Sequence, residues 1–291
     1  MTPGILLLNK SKGIASTPAL QKVRRLLGVN KAGHSGTLDP MATGMLPLFF
    51  EHATKTIEYM LHVDKTYRAK VQFGQATNTG DAAGEVIETS STPALTQEKI
   101  EQTLDQFRGV IAQIPPMFSA IKHQGKPLYK LALDGVELIL PSRNVTIYKL
   151  DLVDFTADTL TFEVVCSKGT YIRTLAEDIA KHLGTCGHLS ALHRLYCAGF
   201  NGQSMVTFEV LVEMGEVERQ SLILPVDAGL QHWPIVQISV QHEQLLLHGK
   251  GKALEPPLAD GHYRLYQDTR LIALADIKSQ QIVSRKFVVG E

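Results

Sequence analysis

The sequence predicts an α+β fold: a mixed, mainly antiparallel sheet with flanking helices, followed by a small β-rich C-terminal domain. Two observations lead there. Segments that alternate with period two outnumber those with helical periodicity, and they stand in hairpin-like pairs where a βαβ winding would interleave helices. After "LQHWPIV" the remaining apolar segments are short and punctuated by turns, which predicts a boundary at Trp233 and Pro234, with domains at 1–232 and 233–291.

The elements follow in order. "GILLLN" reads as a buried strand because its apolar run is short and unbroken. "STPALQKVRRLLG" reads as a helix with Ser16 or Thr17 as N-cap, Pro18 in its first turn and Gly28 as its stop. Leu20, Val23 and Leu27 then share one face, leaving Lys22, Arg24 and Arg25 largely outside. "GHSGTLDPMATGMLPL", residues 33–48, fits neither periodicity and reads as a glycine- and proline-punctuated loop. "TYRAKVQFG" is a strand that places Tyr67, Ala69 and Val71 on one face. "LTQEKIEQTLDQFRG" is a helix opened by Thr96 and closed by Gly109. From Ile114 to Glu137 the prolines 115, 116 and 127 break all regularity, so this stretch reads as an excursion from the sheet, an insertion at about 114–144. "VTIYKLDLVDF" and "TLTFEVVCS" alternate as strands, and "GTYIRTLAEDIAKHLG" is a helix ending at Gly184. "HYRLYQDTRLIALADI" and "QQIVSRKFVV" supply the short strands of the tail.

Composition narrows the function. With 291 residues, 44% hydrophobic and 20% charged, the chain has the make-up of a globular protein with a sizeable core. No apolar run approaches the roughly 20 residues that span a bilayer, and the lysines follow the first apolar run, the wrong order for a signal peptide. A cytoplasmic protein with no membrane partner is expected. Three cysteines, Cys166, Cys186 and Cys197, are an odd count and do not suggest a disulfide framework. The net charge is zero, so bulk charge announces no nucleic acid, but its distribution is segregated. No acid precedes Asp39, while Lys10, Lys12, Lys22, Arg24, Arg25 and Lys31 do, and between Asp105 and Asp134 only Arg108, Lys122, Lys126 and Lys130 are charged.

Several chemistries lack their motif. "HGKGKAL" has the wrong spacing for a phosphate loop, and no G-x-G-x-x-G follows a strand. "CGHLSALHRLYC" offers Cys186, His188, His193 and Cys197, yet their spacing matches no common structural zinc pattern, so no metal is expected. Asp39 is the stronger signal. Asp-Pro is a good turn former, but the length of the surrounding small-residue loop would let a large ligand approach the backbone. A lone carboxylate there can serve as nucleophile, general base or metal ligand, and no second acid nearby suggests a glycosidase pair.

The same loop carries a specific resemblance. "GHSGTLDPMATGMLPL" is similar to the signature of the TruB family of pseudouridine synthases, and further blocks follow the family in order: "NKSKGIAS" before it, then "KTYRAKVQFG", "PPMFSAIKHQGKPLYKLALDG" and "SKGTYIRTLAEDIAKHLG". The resemblance covers essentially residues 4–230 and implies a pseudouridine-synthase fold. It implies isomerisation of a T-arm uridine of tRNA, uridine 55, by base flipping, without cofactor and by a monomer with no obligatory protein partner. It also implies that Asp39 is the nucleophile, that Tyr67 stacks on the target base, and that Tyr171, Arg173 and Leu192 line the pocket, Arg173 paired to Asp39. Lys10 matches a family lysine near the site, and His34 one that engages the RNA loop. The tail resembles a small PUA-like RNA-binding domain. The basic residues Arg24, Arg25, Lys122, Lys126 and Lys130 then gain a role in gripping RNA phosphates. The chain departs from the family pattern at Asn9, Ser11, Ile14 and Ala15, at Ser35 where Thr is common, and at His193 where Arg is common. The reaction breaks the N1–sugar bond and joins C5 to the same carbon, with no net redox change. A carboxylate can attack either the sugar C1′ or the ring C6.

Overall fold

The computed structural model describes residues 3–287 apart from 137, 198, 201, 249, 251–252 and 254–256. The chain runs β1 (Gly4–Lys10), α1 (Ser16–Leu27), β2 (Ala32–His34), β3 (Thr43–Phe50), α2 (Ile57–Met60), β4 (Lys65–Phe73), β5 (Gln75–Thr77), β6 (Val86–Thr89) and α3 (Gln97–Gln106). Next come β7 (Gly109–Gln113), β8 (Lys122–His123), β9 (Lys126–Pro127), α4 (Leu128–Leu133), β10 (Arg143–Phe155), β11 (Thr159–Cys166), α5 (Ile172–Leu183) and β12 (Gly187–Cys197). After α6 (Phe208–Glu213) and α7 (Glu216–Ser221), the tail holds β13 (Ile235–Gln237), α8 (Val240–Leu247), β14 (Gly261–Gln267), β15 (Arg270–Lys278) and β16 (Gln281–Phe287).

The large sheet has the order β1-β3-β12-β4-β11-β10-β7, with β2 also paired to β3. Its neighbours are antiparallel except where β12 touches β3 in parallel, His193 beside Thr43 and Arg194 beside Gly44. The fold class is the mixed, mainly antiparallel one that the alternation predicts. Leu6, Leu8, Leu46 and Leu48 face the helices α1, α3 and α5, whereas Ile5, Leu7, Met45 and Phe49 pack on the other face with Met60, Phe200, Trp233 and Leu274. Burial on both faces is why β1 and β3 read as unbroken apolar runs. Strands β4 and β11 bury one face only. Tyr67, Ala69, Val71, Phe162 and Val164 turn inward, while Arg68 and Glu163 pair on the outside. The outer edge of β1 is covered by backbone hydrogen bonds to Leu224 and Val206.

Four expectations need correction. The signature region is only partly loop, because residues 43–48 form most of β3 and residues 33–34 belong to β2. The N-cap of α1 is Ala15, and Ser16 instead sends its hydroxyl to Leu38 across the fold. Helix α3 stops at Gln106 rather than at Gly109, whose φ of 87° serves the reversal into β7. Helix α5 starts at Ile172 after the "GTY" turn. Thr96 caps α3 by accepting from the Lys99 N–H, and Gly28 and Gly184 end their helices in the left-handed region, as read.

The excursion leaves the sheet as the β8–β9 hairpin and α4, with Lys122, Lys126 and Lys130 exposed; its last residue, Glu137, lies outside the described residues. The tail forms a second sheet, β13-β14-β15-β16, over its own core of Leu246, Leu265, Ile272 and Ile277. It is joined to the rest by the buried Arg264–Asp227 pair at 2.9 Å and by Trp233, stacked on His262 at 4.6 Å and edge-on to Tyr59. Among the described residues no helix is long and apolar enough to cross a membrane.

Candidate active site

Asp39 sits in the loop between β2 and β3, and the β1–α1 turn holds that loop in place. The Ser16 hydroxyl accepts from the Leu38 N–H at 2.8 Å and donates to the Leu38 carbonyl at 3.1 Å, both fully buried. The Gly13 N–H donates to the Pro40 carbonyl at 2.8 Å. Lys10 is buried at the end of β1, and its ammonium donates to the carbonyls of Ile14 at 2.7 Å, Ser11 at 3.1 Å and Pro40 at 3.4 Å. Two sequence blocks, "NKSKGIAS" and the signature, are thus one structural unit that brackets Asp39 on both sides. Burial pushes the Lys10 ammonium down to about 8, with Asp39 opposing and Arg194 reinforcing that change.

Arg173 enters from the first turn of α5, 6% exposed at its side chain, and its Nε lies 3.0 Å from Asp39 Oδ2. The pairing expected from the sequence is present, but it is not a two-pronged fork. Arg173 Nη1 donates to the Thr79 carbonyl at 2.8 Å and Nη2 to the Phe118 carbonyl at 2.7 Å. One guanidinium therefore ties the aspartate to the β5–β6 loop and to the insertion. Burial raises the Asp39 carboxyl above its ordinary range, and Arg173 is the foremost group opposing that rise. A third of the Asp39 side chain stays open, which leaves a carboxylate held in direction yet reachable.

The sequence reading missed Asp81. It lies close enough to raise Asp39 further, and its own carboxylate accepts from the Thr79 hydroxyl at 2.8 Å and the Ala83 N–H at 3.0 Å. A second acid, itself buried, does stand near the partly open Asp39, in a turn that uses it structurally. Only tertiary contact reveals it, since 42 positions separate the two in sequence (81 minus 39).

Arg194 was missed as well. It is fully buried on β12, where its Nε donates to the Met45 carbonyl at 2.6 Å and Nη2 to the Gly36 carbonyl at 3.2 Å. It also stands directly across from Tyr67 on β4 and acts on that phenol electrostatically. Burial pushes the Tyr67 phenol up to about 12, so the ring is a neutral phenol at working pH. The signature glycines answer to these neighbours. A Cβ at Gly44 would stand 2.3 Å from the Arg194 carbonyl oxygen, one at Gly33 would stand 2.5 Å from Ile57, and one at Gly36 would stand 3.6 Å from Arg194 Nη1. Gly44 and Gly33 make room for protein packing, whereas Gly36 is required by its φ of 92°.

The other expected residues divide into two groups. Tyr171 caps α5 with its backbone clamped by Gln113, and its phenol is raised by burial, with Ser119, Arg173 and Asp39 also acting on it. Leu192 is buried in the same apolar cluster as Leu38 and Tyr67. His34 ends β2, half-buried, and burial followed by Arg194 pushes its imidazole below the usual range. Tyr171 is thereby close to Arg173 and Asp39, Leu192 shares a core with Leu38 beside Asp39, and His34 lies near Arg194. Arg24 and Arg25 lie apart on α1, Arg24 bonded to Gln21 and the Val29 carbonyl, and the insertion lysines stand out in solvent. The four residues tested for zinc also go separate ways. Cys186 meets Ser90, His188 meets the Gln75 carbonyl, His193 meets Thr43, and Cys197 lies in the second core.

Residues 24–172 match the model of the TruB family pseudouridylate synthase N-terminal domain, and residues 173–231 match that of the tRNA pseudouridylate synthase B C-terminal domain. The chain belongs to the TruB family. Membership makes it a pseudouridine synthase, an isomerase. Among similar family members, tRNA pseudouridine synthase B of Chromohalobacter salexigens is 46% identical over 94% of this chain and 90% of its own length. The protein of the same name in Neisseria meningitidis serogroup B is 43% identical over 95% of this chain and 91% of its own. A chain in the crystal structure of a Cbf5-Nop10-Gar1 complex shares the fold, with a TM-score of 0.75 and 23% identity across 98% of this chain and 85% of that one.

Proposed function

We propose that this family member modifies tRNA, converting uridine 55 of the T-arm loop to pseudouridine, with Asp39 as the nucleophile. The observation that carries the reading is the Asp39–Arg173 pair at 3.0 Å, in which a nearly inaccessible guanidinium holds a partly open carboxylate. Such an acid can attack a carbon of the nucleoside and hold one fragment while the other turns. Arg173 counters the burial that would otherwise protonate it.

A base in a folded loop must leave its stack before Asp39 can reach it, and backbone phosphates supply much of the binding energy for that. Exposed Lys122, Lys126 and Lys130 on the insertion suit this task, as do Arg25 on α1 and the second sheet acting as a PUA-like RNA-binding domain. In this reading the catalytic domain is 1–232, the tail domain is 233–291, and the enzyme works as a monomer in the cytoplasm. Tyr67 stacks on the extruded base, Tyr171 and Leu192 complete the pocket wall, and His34 meets the loop the base has left. Stacking on Tyr67 contributes about 1–3 kcal/mol.

The test is incubation with an unmodified T-arm stem-loop, then mass-spectrometric detection of pseudouridine. Product at the expected uridine supports the reading; an intact uridine under conditions where the RNA binds tightly overturns it in favour of an RNA-binding role.

A further inference from the structure

Gln113, 2% exposed, is the last residue of β7, and its register partner Arg143 opens β10, so the insertion departs and returns beside it. Its side chain reaches the start of α5. There Oε1 accepts from the Tyr171 N–H at 3.0 Å and Nε2 donates to the Tyr171 carbonyl at 3.2 Å, so one amide holds both backbone polar groups of a single residue. These partners also fix which way the amide points, since a flipped one would set oxygen against oxygen and N–H against N–H.

Helix α5 needs such a hold, because the N–H groups at a helix start have no partner within the helix. Tyr171 is the N-cap, its own side chain gives no cap, and no acid stands in the first turn. In a capping box a Glu or Gln at the third helical position would bind the N-cap N–H. Here that position is Thr174, whose hydroxyl donates to the Ile114 carbonyl at 3.5 Å. Gln113 does the task from another strand, 58 positions earlier. The turn it holds also carries Arg173, whose Nε is 3.0 Å from Asp39 and whose Nη2 donates to the Phe118 carbonyl of the insertion.

We infer that Gln113 is a positioning residue for the isomerisation: from the root of the insertion its amide locks the first turn of α5 and so holds Arg173 and Tyr171 in register with Asp39. The inference rests on the proposed function, in which Asp39 is the nucleophile. Gln113 acts only through the backbone of Tyr171. Without its amide the uncapped helix start would fray, and Arg173 would swing away from the carboxylate.

The experiment compares Gln113→Met, Arg173→Lys and the double variant in the full chain, read by the pH profile of single-turnover pseudouridine formation and by RNA affinity. Methionine keeps the unbranched length of glutamine and removes the amide. Gln113→Met should lower the single-turnover rate about tenfold or more with RNA affinity within about twofold of wild type, because alignment and not the phosphate contacts is disturbed. Its acid limb should move up by about 0.5–1 pH unit, because Arg173 is the foremost group opposing the rise that burial imposes on Asp39. Asp81 and Lys10, the other charged groups that act on Asp39, stand on elements that Gln113 does not bond. In the Arg173→Lys background the same change should move the limb by less than about 0.2 unit. A Gln113→Met enzyme as fast as wild type, a slow one whose limb stays in place or shifts as far without Arg173, or a loss confined to RNA affinity would overturn the inference. Should Gln113→Met unfold below the assay temperature, amide exchange in the wild-type protein decides. The Tyr171 N–H must then exchange only with global unfolding, and one that exchanges as fast as an open helix start overturns the clamp. An Asp39→Asn enzyme that still forms pseudouridine, or a wild-type enzyme that forms none, refutes the proposed function itself, an outcome distinct from any of these.

Discussion

Arg173 and Arg194 are both buried guanidiniums, yet Arg173 faces a carboxylate, whereas Arg194 bonds the backbone carbonyls of Met45 and Gly36 and stands beside Cys197 and Tyr67. The difference separates two tasks. Arg173 pairs with Asp39, and its three arms join that carboxylate to two loops, fixing its direction while opposing the rise that burial imposes on its pKa. Arg194 sits within the sheet on β12, and its arms reach β3 at Met45 and the β2–β3 loop at Gly36. One arginine holds the candidate acid, and the other braces a strand and the loop that carries that acid.

Asp39→Asn tests the chemical side most severely. Removing the charge with little change in volume should cut pseudouridine formation on the order of 10⁴-fold or more, while a filter-binding assay returns the wild-type RNA affinity. Arg173→Lys should slow turnover on the order of 10²-fold and move the acid limb of the pH–rate profile upward. The sign follows from Asp39. Its pKa is already raised by burial and held back by Arg173, so a weaker partner lets it rise further and the ionised nucleophile is lost at a higher pH. An acid limb that stays in place, or moves down, would detach Arg173 from the ionisation of Asp39.

Lys10 gives a smaller, alkaline test. Its folded value of about 8 lies below its ordinary 10.5, so the unfolded chain holds more protons between those two values. This group therefore penalises folding below about pH 8, and the penalty disappears as pH rises past 10.5. Turnover should fall by a few-fold as pH rises through about 8, where Asp39 loses a neighbouring cation, and Lys10→Met should remove that limb from the profile. Ser16→Ala probes the framework without any charge. Loss of its paired bonds to Leu38 should lower stability by about 1–3 kcal/mol in a denaturant melt, with a modest loss of rate. The least effect belongs to the insertion. Each of Lys126→Ala and Lys130→Ala should weaken RNA binding a few-fold and reduce the salt slope by about 1, leaving the bound turnover rate intact.

Much of this architecture is legible in the sequence where local physics decides. Thr96, Gly28 and Gly184 mark helix ends through caps that need only neighbours in the chain. Alternation puts Tyr67 with Ala69 and Val71, and the structure buries all three together. Local rules fail where a residue is used at a distance. Ser16 looks like a helix cap and is instead bound to Leu38, 22 positions on. Arg194 lies on a strand whose alternation is broken by bulges on both sides, after Leu189 and after Arg194, so no periodicity announces which way it faces.

The sequence by itself determined the class of fold, the helix and strand periods, and, through ordered motifs in the chain, which acid is the candidate nucleophile. Tertiary structure alone decided what surrounds that acid. Arg173 lies 134 positions from Asp39 (173 minus 39), and Asp81 approaches the same acid from the β5–β6 loop. Charge effects and buried hydrogen bonds act through space over a few ångströms, whereas sequence patterns report only what neighbouring residues impose on one another. A lone aspartate in a glycine-rich stretch is therefore visible as a candidate from its own chain, and becomes a directed, partly open carboxylate only when distant strands have closed around it.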